Sequence, residues 1–201
     1  PSPAKTGELL DRLEEAGADV IELGVPFSDP LADGPTIQRA SFAAIEQGAS
    51  LEWALEQVAD FRARSRTPVV VFSYLNPVLR YGPERFIADA TSAGAQGALI
   101  ADLPLGGDPA LEEAIEDSVL DLIRLLTPTS GPDRVGAIAQ RAQGFIYYVS
   151  RTGVTGASTK LRETLEEEIA RIRQHTDVPV AIGFGVSTPE QARRAAEAAD
   201  G

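Results

Sequence analysis

The sequence has no cysteine, a single histidine and only two lysines, Lys5 and Lys160, among 201 residues. Without cysteine the chain can form no disulfide and can use no thiolate. One histidine cannot supply the cluster that a transition-metal site requires. Neither lysine lies in a segment with strand character, so a Schiff-base aldolase is not expected. Carboxylates are therefore the main candidates for catalysis.

Long apolar runs and positive charge are also missing. No apolar run reaches the roughly 18 residues that a membrane-spanning helix needs, and residues 1–7 lack the apolar core of a signal peptide. The formal net charge of −12 gives a field that repels nucleic acid and anionic membranes. We therefore expect a cytoplasmic protein that acts on a small molecule.

What the sequence does contain is an alternation of short apolar runs with segments of helical spacing. The runs are almost continuously apolar, which is typical of parallel strands buried on both faces. The predicted strands cover residues 19–24, 68–74, 97–102, 120–126, 144–150 and 178–183. The predicted helices cover residues 4–16, 36–47, 50–65, 84–93, 109–117, 132–142, 161–174 and 188–199.

This alternation predicts an α/β fold in a single, incomplete domain, residues 1–201. Six strands with a helix at each end fit a (β/α)₈ TIM barrel that lacks strands 1 and 8, which are neighbours in a closed barrel. An open, doubly wound sheet is the alternative, because alternation alone does not distinguish the two folds.

The segment 22–38 carries the clearest chemical signal. Glu22 lies inside the first predicted strand, where a carboxylate is costly unless it is paired or functional. The loop that follows holds three prolines and two aspartates, Asp29 and Asp33. It lies at the C-terminal end of a strand, where barrel enzymes place their active sites. The segment therefore predicts two carboxylates at one barrel mouth.

The run ELGVPFSDPLADGPTIQ, residues 22–38, resembles the signature of the tryptophan synthase α-subunit family. The resemblance extends along nearly the whole chain. Further similar motifs are YLNP at 74–77, ADLP at 101–104, TPT at 127–129, YYVSRTGVTG at 147–156 and GFGVS at 183–187.

The resemblance implies a carbon–carbon lyase of tryptophan biosynthesis, which cleaves indole-3-glycerol phosphate to indole and glyceraldehyde 3-phosphate. It implies that Glu22 is the principal acid–base residue and that Asp33 hydrogen-bonds the indole N–H. This chemistry suits the residues present, because an indole protonated at C3 is its own electron sink and needs only well-tuned carboxylates.

The resemblance also implies the residues that bind the substrate. The positions that would surround the indole and the catalytic carboxylate are Phe72, Leu99, Tyr147 and Thr155. Those that would line the phosphate pocket are Gly156, Phe184 and Gly185. Considered alone, each of the glycine runs 152–156 and 183–185 is better explained by tight-turn geometry, and only the two together resemble a phosphate site.

By resemblance the chain acts with a tryptophan synthase β subunit in an α2β2 heterotetramer. The β subunit would carry pyridoxal phosphate, and this chain would bind neither a cofactor nor a metal. Two other functions remain open. One is a metal-assisted barrel lyase in which acidic side chains gather Mg²⁺, namely Glu22, Asp29, Asp33 and Asp102. The other is a non-catalytic activator of a β partner.

Overall fold

The structure is a computed structural model that describes residues 3–149, 159–183, 186 and 188–201. The chain divides into two compact units, Pro1–Leu122 and Ile123–Gly201, which are described separately below. The single domain of residues 1–201 stays a prediction. Among the described residues, no helix is both long and apolar enough to cross a membrane.

The first unit contains three parallel strands, in the order β1, β2, β3, and the helices that connect them. Its elements are α1 (Pro3–Glu15), β1 (Ile21–Gly24), α2 (Pro35–Glu46), α3 (Leu51–Arg62), β2 (Val69–Ser73), α4 (Leu75–Tyr81), α5 (Pro83–Ser92), β3 (Gly97–Ile100) and α6 (Pro109–Glu116). In the pairing of these strands, Glu22 lies beside Val70 and Phe72 lies beside Leu99.

The two faces of this sheet have different surroundings. Side chains alternate along a strand, so the register places Glu22, Phe72 and Leu99 on one face. Side chains on the other face form a buried apolar cluster together with residues of α3, α5 and α6. Members of that cluster are Ile21, Val69, Val71, Ala98 and Ile100 from the strands and Phe61, Phe86 and Ile115 from the helices. The core therefore lies between the sheet and its helices.

The second unit repeats the pattern with β4, β5 and β6, again parallel and in sequence order. Its elements are β4 (Asp121–Leu126, whose first two residues belong to the first unit), α7 (Pro132–Gln140), β5 (Ile146–Val149), α8 (Thr159–Arg173), β6 (Val180–Gly183) and α9 (Pro189–Ala198). The Tyr148 hydroxyl donates to Glu168 of α8 at 2.5 Å, which identifies the helix-facing side of β5. Tyr147, the next residue, lies on the opposite face.

Capping residues fix several helix starts. The Ser50 hydroxyl accepts a hydrogen bond from the N–H of Trp53 at the start of α3. Thr188 and Gln191 form a reciprocal capping box at the start of α9, and proline follows Thr188 directly. At the other end of two helices, Gly17 and Gly94 adopt φ angles of 91° and 83°, which L side chains rarely adopt.

All six predicted strands are present, but α4 was not predicted. The sequence prediction extended the second strand to residue 74, whereas the strand ends at Ser73 and a helix begins at Leu75. Pro77 falls in the first turn of α4, where a missing N–H leaves no helical hydrogen bond unmade. The N–H of Leu75 donates to Asp102 Oδ1 at 2.6 Å, a tertiary contact that sequence periodicity does not reveal.

Candidate active site

Glu22 is the acidic residue on the face of β1 that points away from the helices. The residue as a whole is solvent-accessible, yet burial of the carboxyl group raises the pKa of Glu22 to about 7. Protein atoms around the carboxyl reduce its hydration although the residue as a whole is not covered, and reduced hydration disfavours the charged form. Within the described part of the chain, no group pairs with or donates to this carboxyl. A carboxyl of this kind can both give and take a proton near neutral pH.

Phe72 and Leu99 share this sheet face with Glu22. Phe72 is half-buried and retains surface that a ligand could contact. Leu99 is 0% exposed, so in this arrangement its side chain fills the sheet face and offers no free surface. Contact of either side chain with substrate stays a prediction.

The loop that follows β1 carries Asp33, and several hydrogen bonds hold this loop in place. It leaves the strand with the N–H of Val25 donating to the carbonyl of Phe72 at 2.8 Å. The Ser41 hydroxyl of α2 accepts from the N–H of Phe27 and donates to its carbonyl, at 2.8 and 3.1 Å. These contacts place the loop at the C-terminal ends of β1 and β2.

The carboxylate of Asp33 is itself held by a neighbouring strand. Its Oδ2 accepts a hydrogen bond from the Tyr74 hydroxyl at 3.0 Å, and Tyr74 directly follows β2. The amide of Gln38 donates to the backbone carbonyl of Asp33 at 2.9 Å. Tyr74 did not figure among the predicted site residues, although the motif YLNP drew attention to its position. Only the tertiary fold reveals its contact, across 41 positions of sequence.

The other two carboxylates of the metal-site hypothesis serve local structure. Asp29 accepts a hydrogen bond from the adjacent Ser28 hydroxyl at 2.6 Å, and Asp102 accepts from the N–H of Leu75. In the part of the chain that the structure describes, no three or more His, Asp or Glu side chains are placed to hold a metal ion. The four carboxylates of that hypothesis therefore do not gather into one site.

In the second unit, Tyr147 lies directly over Gly183. A Cβ atom added at Gly183 would stand 1.8 Å from the Tyr147 ring, so the ring fills the space that any side chain there would need. This contact fixes an aromatic group at the C-terminal ends of β5 and β6. The predicted residues Thr155, Gly156, Phe184 and Gly185 lie outside the described residues.

Parallel strands with connecting helices, an acidic side chain on the first strand and a second one in the loop at the strand ends are typical of barrel-type α/β enzymes. The whole chain, residues 1–201, matches the family model for the tryptophan synthase alpha chain. The chain belongs to the tryptophan synthase alpha chain family.

Individual relatives agree with this assignment. The chain is 48% identical to the tryptophan synthase alpha chain of Geobacter sp. (strain M21), over all of this chain and 75% of that protein. It superposes on the alpha subunit of Legionella pneumophila str. Paris with a TM-score of 0.90 and 38% identity, covering 100% of this chain and 74% of the other. It superposes on a chain of the Pyrococcus furiosus tryptophan synthase complex with a TM-score of 0.89 and 36% identity, covering 100% of this chain and 81% of the other.

These similarities confirm the resemblance, the fold class and the enzyme class that the sequence predicted. The fold is α/β of the (β/α)₈-barrel type, and the open doubly wound alternative is wrong. The chain is a lyase of tryptophan biosynthesis that catalyses the alpha reaction of tryptophan synthase. The roles of individual residues are a separate matter and rest on the geometry described above.

Proposed function

We propose that Glu22 and Asp33 carry out the cleavage of indole-3-glycerol phosphate in this chain. Glu22 protonates C3 of the indole ring and receives the proton of the glycerol hydroxyl next to the scissile bond. Asp33 accepts the indole N–H and stabilises positive charge that develops on the ring. The observation that carries the proposal is Glu22 itself, a desolvated carboxyl with a pKa of about 7 and no partner among the described residues.

The proposed step balances without a co-reactant. Protonation at C3 leaves a positive charge on the ring nitrogen. Loss of the hydroxyl proton then forms the aldehyde of glyceraldehyde 3-phosphate, and the electron pair of the broken carbon–carbon bond restores the aromatic indole. Glu22 ends the cycle in its starting protonation state, because it donates one proton and receives one.

The positions of the lysines support this chemistry. Lys5 lies in α1 and Lys160 in α8, so neither stands on a strand that borders the Glu22 face. In this proposal the ring serves as its own electron sink, with acid–base help worth ~10²–10⁴ in rate and positioning supplying much of the rest.

Phe72, Leu99, Tyr147 and Thr155 would enclose the indole, and Gly156, Phe184 and Gly185 would hold the phosphate. The proposed contacts with indole are supported by the half-buried rings of Phe72 and Tyr147, which retain surface that a ligand could touch. In a chain of net charge −12 an anionic phosphate needs a local positive site, which backbone N–H groups would supply.

We further infer that the chain works with a β subunit in an α2β2 assembly and in the cytoplasm. The Pyrococcus furiosus relative belongs to a tryptophan synthase α2β2 complex. Two exposed leucines suit a protein contact, Leu31 in the loop after β1 and Leu79 in α4, which are 93% and 45% exposed. Pyridoxal phosphate would reside in the β subunit, and this chain would hold no cofactor.

The test is indole release from indole-3-glycerol phosphate by the full-length protein with its β subunit. Wild type, Glu22→Gln and Asp33→Asn are compared, each with and without EDTA. We expect a loss of ~10²–10⁴ or more for Glu22→Gln and no effect of EDTA. The glutamine variant should fold at least as well, because it removes a desolvated acid.

Each contrary outcome has a distinct meaning. Full activity of Glu22→Gln would contradict the proposed role of Glu22. Activity that EDTA abolishes and Mg²⁺ restores would favour the metal-assisted lyase. No indole from the wild type, with stimulation of the β subunit retained, would identify a non-catalytic activator.

A further inference from the structure

We propose that Tyr74 is a positioning residue for catalysis, whose hydroxyl fixes the Asp33 carboxylate so that its second oxygen faces the substrate. The proposal rests on the role of Asp33 proposed above. Tyr74 touches neither of the bonds that change, and it acts only through Asp33.

The hydroxyl of Tyr74 is constrained on both of its sides. It accepts a hydrogen bond from the N–H of Ala32 at 3.0 Å and donates to Asp33 Oδ2 at 3.0 Å. A phenol has a single hydrogen to donate. Because Ala32 occupies the acceptor side, that hydrogen is directed at Asp33. One carboxylate oxygen is thereby engaged, and Oδ1 has no hydrogen-bond donor within the described residues.

The ring that presents this hydroxyl is itself immobilised. Tyr74 is 4% exposed, and its ring packs against Phe27 with the ring centroids 5.3 Å apart. The Ser73 hydroxyl donates to the Tyr74 carbonyl at 3.1 Å. The N–H of Leu75, the residue after Tyr74, donates to the Asp102 carboxylate. The end of a core strand therefore helps to set the position of the Asp33 carboxylate, in addition to the contacts that hold its own loop.

The hydroxyl also remains a donor over the whole working pH range. Burial first, and then the nearby Asp33 and Asp102 charges, raise the pKa of Tyr74 to about 12. A tyrosine that stays protonated can supply its hydrogen bond to the Asp33 carboxylate at any pH where the enzyme acts.

A second pair in the same unit provides a matched control. Tyr81 donates to Asp89 Oδ2 at 2.6 Å, and burial raises the pKa of Tyr81 to about 12 as well. Asp89 also accepts from Arg85 and lies on α5, outside the loop that carries Asp33. Tyr81→Phe removes the same kind of bond without touching the proposed site.

The experiment measures steady-state indole release by the full-length protein with its β subunit. The variants are Tyr74→Phe, Tyr81→Phe, Asp33→Asn and Tyr74→Phe combined with Asp33→Asn. We expect Tyr74→Phe to lower kcat by about 10–100-fold with little change in KM, as for a lost bond to a charged group. Tyr81→Phe should stay within about twofold of wild type, and Tyr74→Phe should add less than about twofold in the Asp33→Asn background.

Several results would overturn the proposal. A lower melting temperature with unchanged kcat for Tyr74→Phe would show a structural role alone. Multiplying effects in the double variant would show that Tyr74 does not act through Asp33. Full activity of Asp33→Asn would contradict the proposed role of Asp33 and the Tyr74 proposal together, which distinguishes this case from failure of Tyr74 alone.

Discussion

The two faces of the sheet formed by β1, β2 and β3 differ in what they contact: one packs against the helices and the other carries Glu22. On the helix-facing side, residues such as Ile21 and Val71 pack into one apolar cluster and are 3% and 1% exposed. On the other side of the same strand as Ile21 lies Glu22, whose carboxyl is desolvated and has no partner among the described residues. Neighbouring residues of a single four-residue strand would thus serve stability and the proposed chemistry separately. Substitutions on the two sides should separate those properties as well.

The largest effect on stability should come from the helix-facing core. Phe61 is 0% exposed in the cluster between α3 and the sheet, so Phe61→Ala should lower the free energy of unfolding by about 3–5 kcal/mol. The kcat of the molecules that remain folded should not change. Urea unfolding and indole release measure the two quantities.

Phe42→Ala is the matched control, because this phenylalanine is 46% exposed on α2. Its effect on the free energy of unfolding should stay within about 0.5 kcal/mol. Equal destabilisation by both variants would contradict the assignment of Phe61 to the packed core.

Gly183→Ala should have a smaller effect on stability and a clear effect on the site. The new Cβ would overlap the Tyr147 ring, so the ring must leave its place at the ends of β5 and β6. We expect a loss of about 1–3 kcal/mol in the free energy of unfolding and weaker substrate binding. Gly131→Ala is the control, because a Cβ there meets nothing within 4 Å. Wild-type KM and stability for Gly183→Ala would show that Tyr147 does not occupy this position.

A further expected effect is a pH dependence of stability that Glu22 alone contributes. Its pKa is raised from 4.5 to about 7 by burial, so the folded state holds this proton more tightly than the unfolded chain. The free energy of unfolding should therefore fall as pH rises through this interval and become flat above it.

Glu22→Gln removes that contribution and serves as the reference. The urea midpoint of the variant should rise relative to wild type between about pH 5 and about pH 7, and the difference should then stay constant. A difference that does not depend on pH would mean that Glu22 titrates alike in the folded and unfolded states.

Sequence patterns predicted the strands and most helices because apolar periodicity records which side chains are buried. The apolar pattern of the first strand also drew attention to Glu22, because a carboxylate among buried apolar residues is costly unless it is paired or functional. Family resemblance supplied Asp33 and the reaction. The pattern did not predict α4, a helix of seven residues whose first N–H donates to Asp102, in the turn after β3.

Contacts between distant parts of the chain were beyond the reach of the sequence. Nothing in the motif at residues 74–77 states that the Tyr74 hydroxyl reaches Asp33, because that contact exists only once β1 and β2 are paired. The overlap of Tyr147 with Gly183 is of the same kind. Periodicity tells which face a residue takes, whereas partners on that face depend on strand register.

The proposed role of Glu22 requires proton exchange near neutral pH, which is expected because its carboxyl is desolvated and has no partner among the described residues. Carbon-13 NMR titration of side-chain carboxyl groups in glutamate-labelled protein tests it most directly, with Glu22→Gln assigning the resonance. A midpoint of about 7 is predicted for Glu22, well above the ordinary value of about 4.3 for a glutamate in a model peptide. A Glu22 midpoint close to that ordinary value would contradict the claim, since the residue would then be a fully ionised carboxylate at neutral pH.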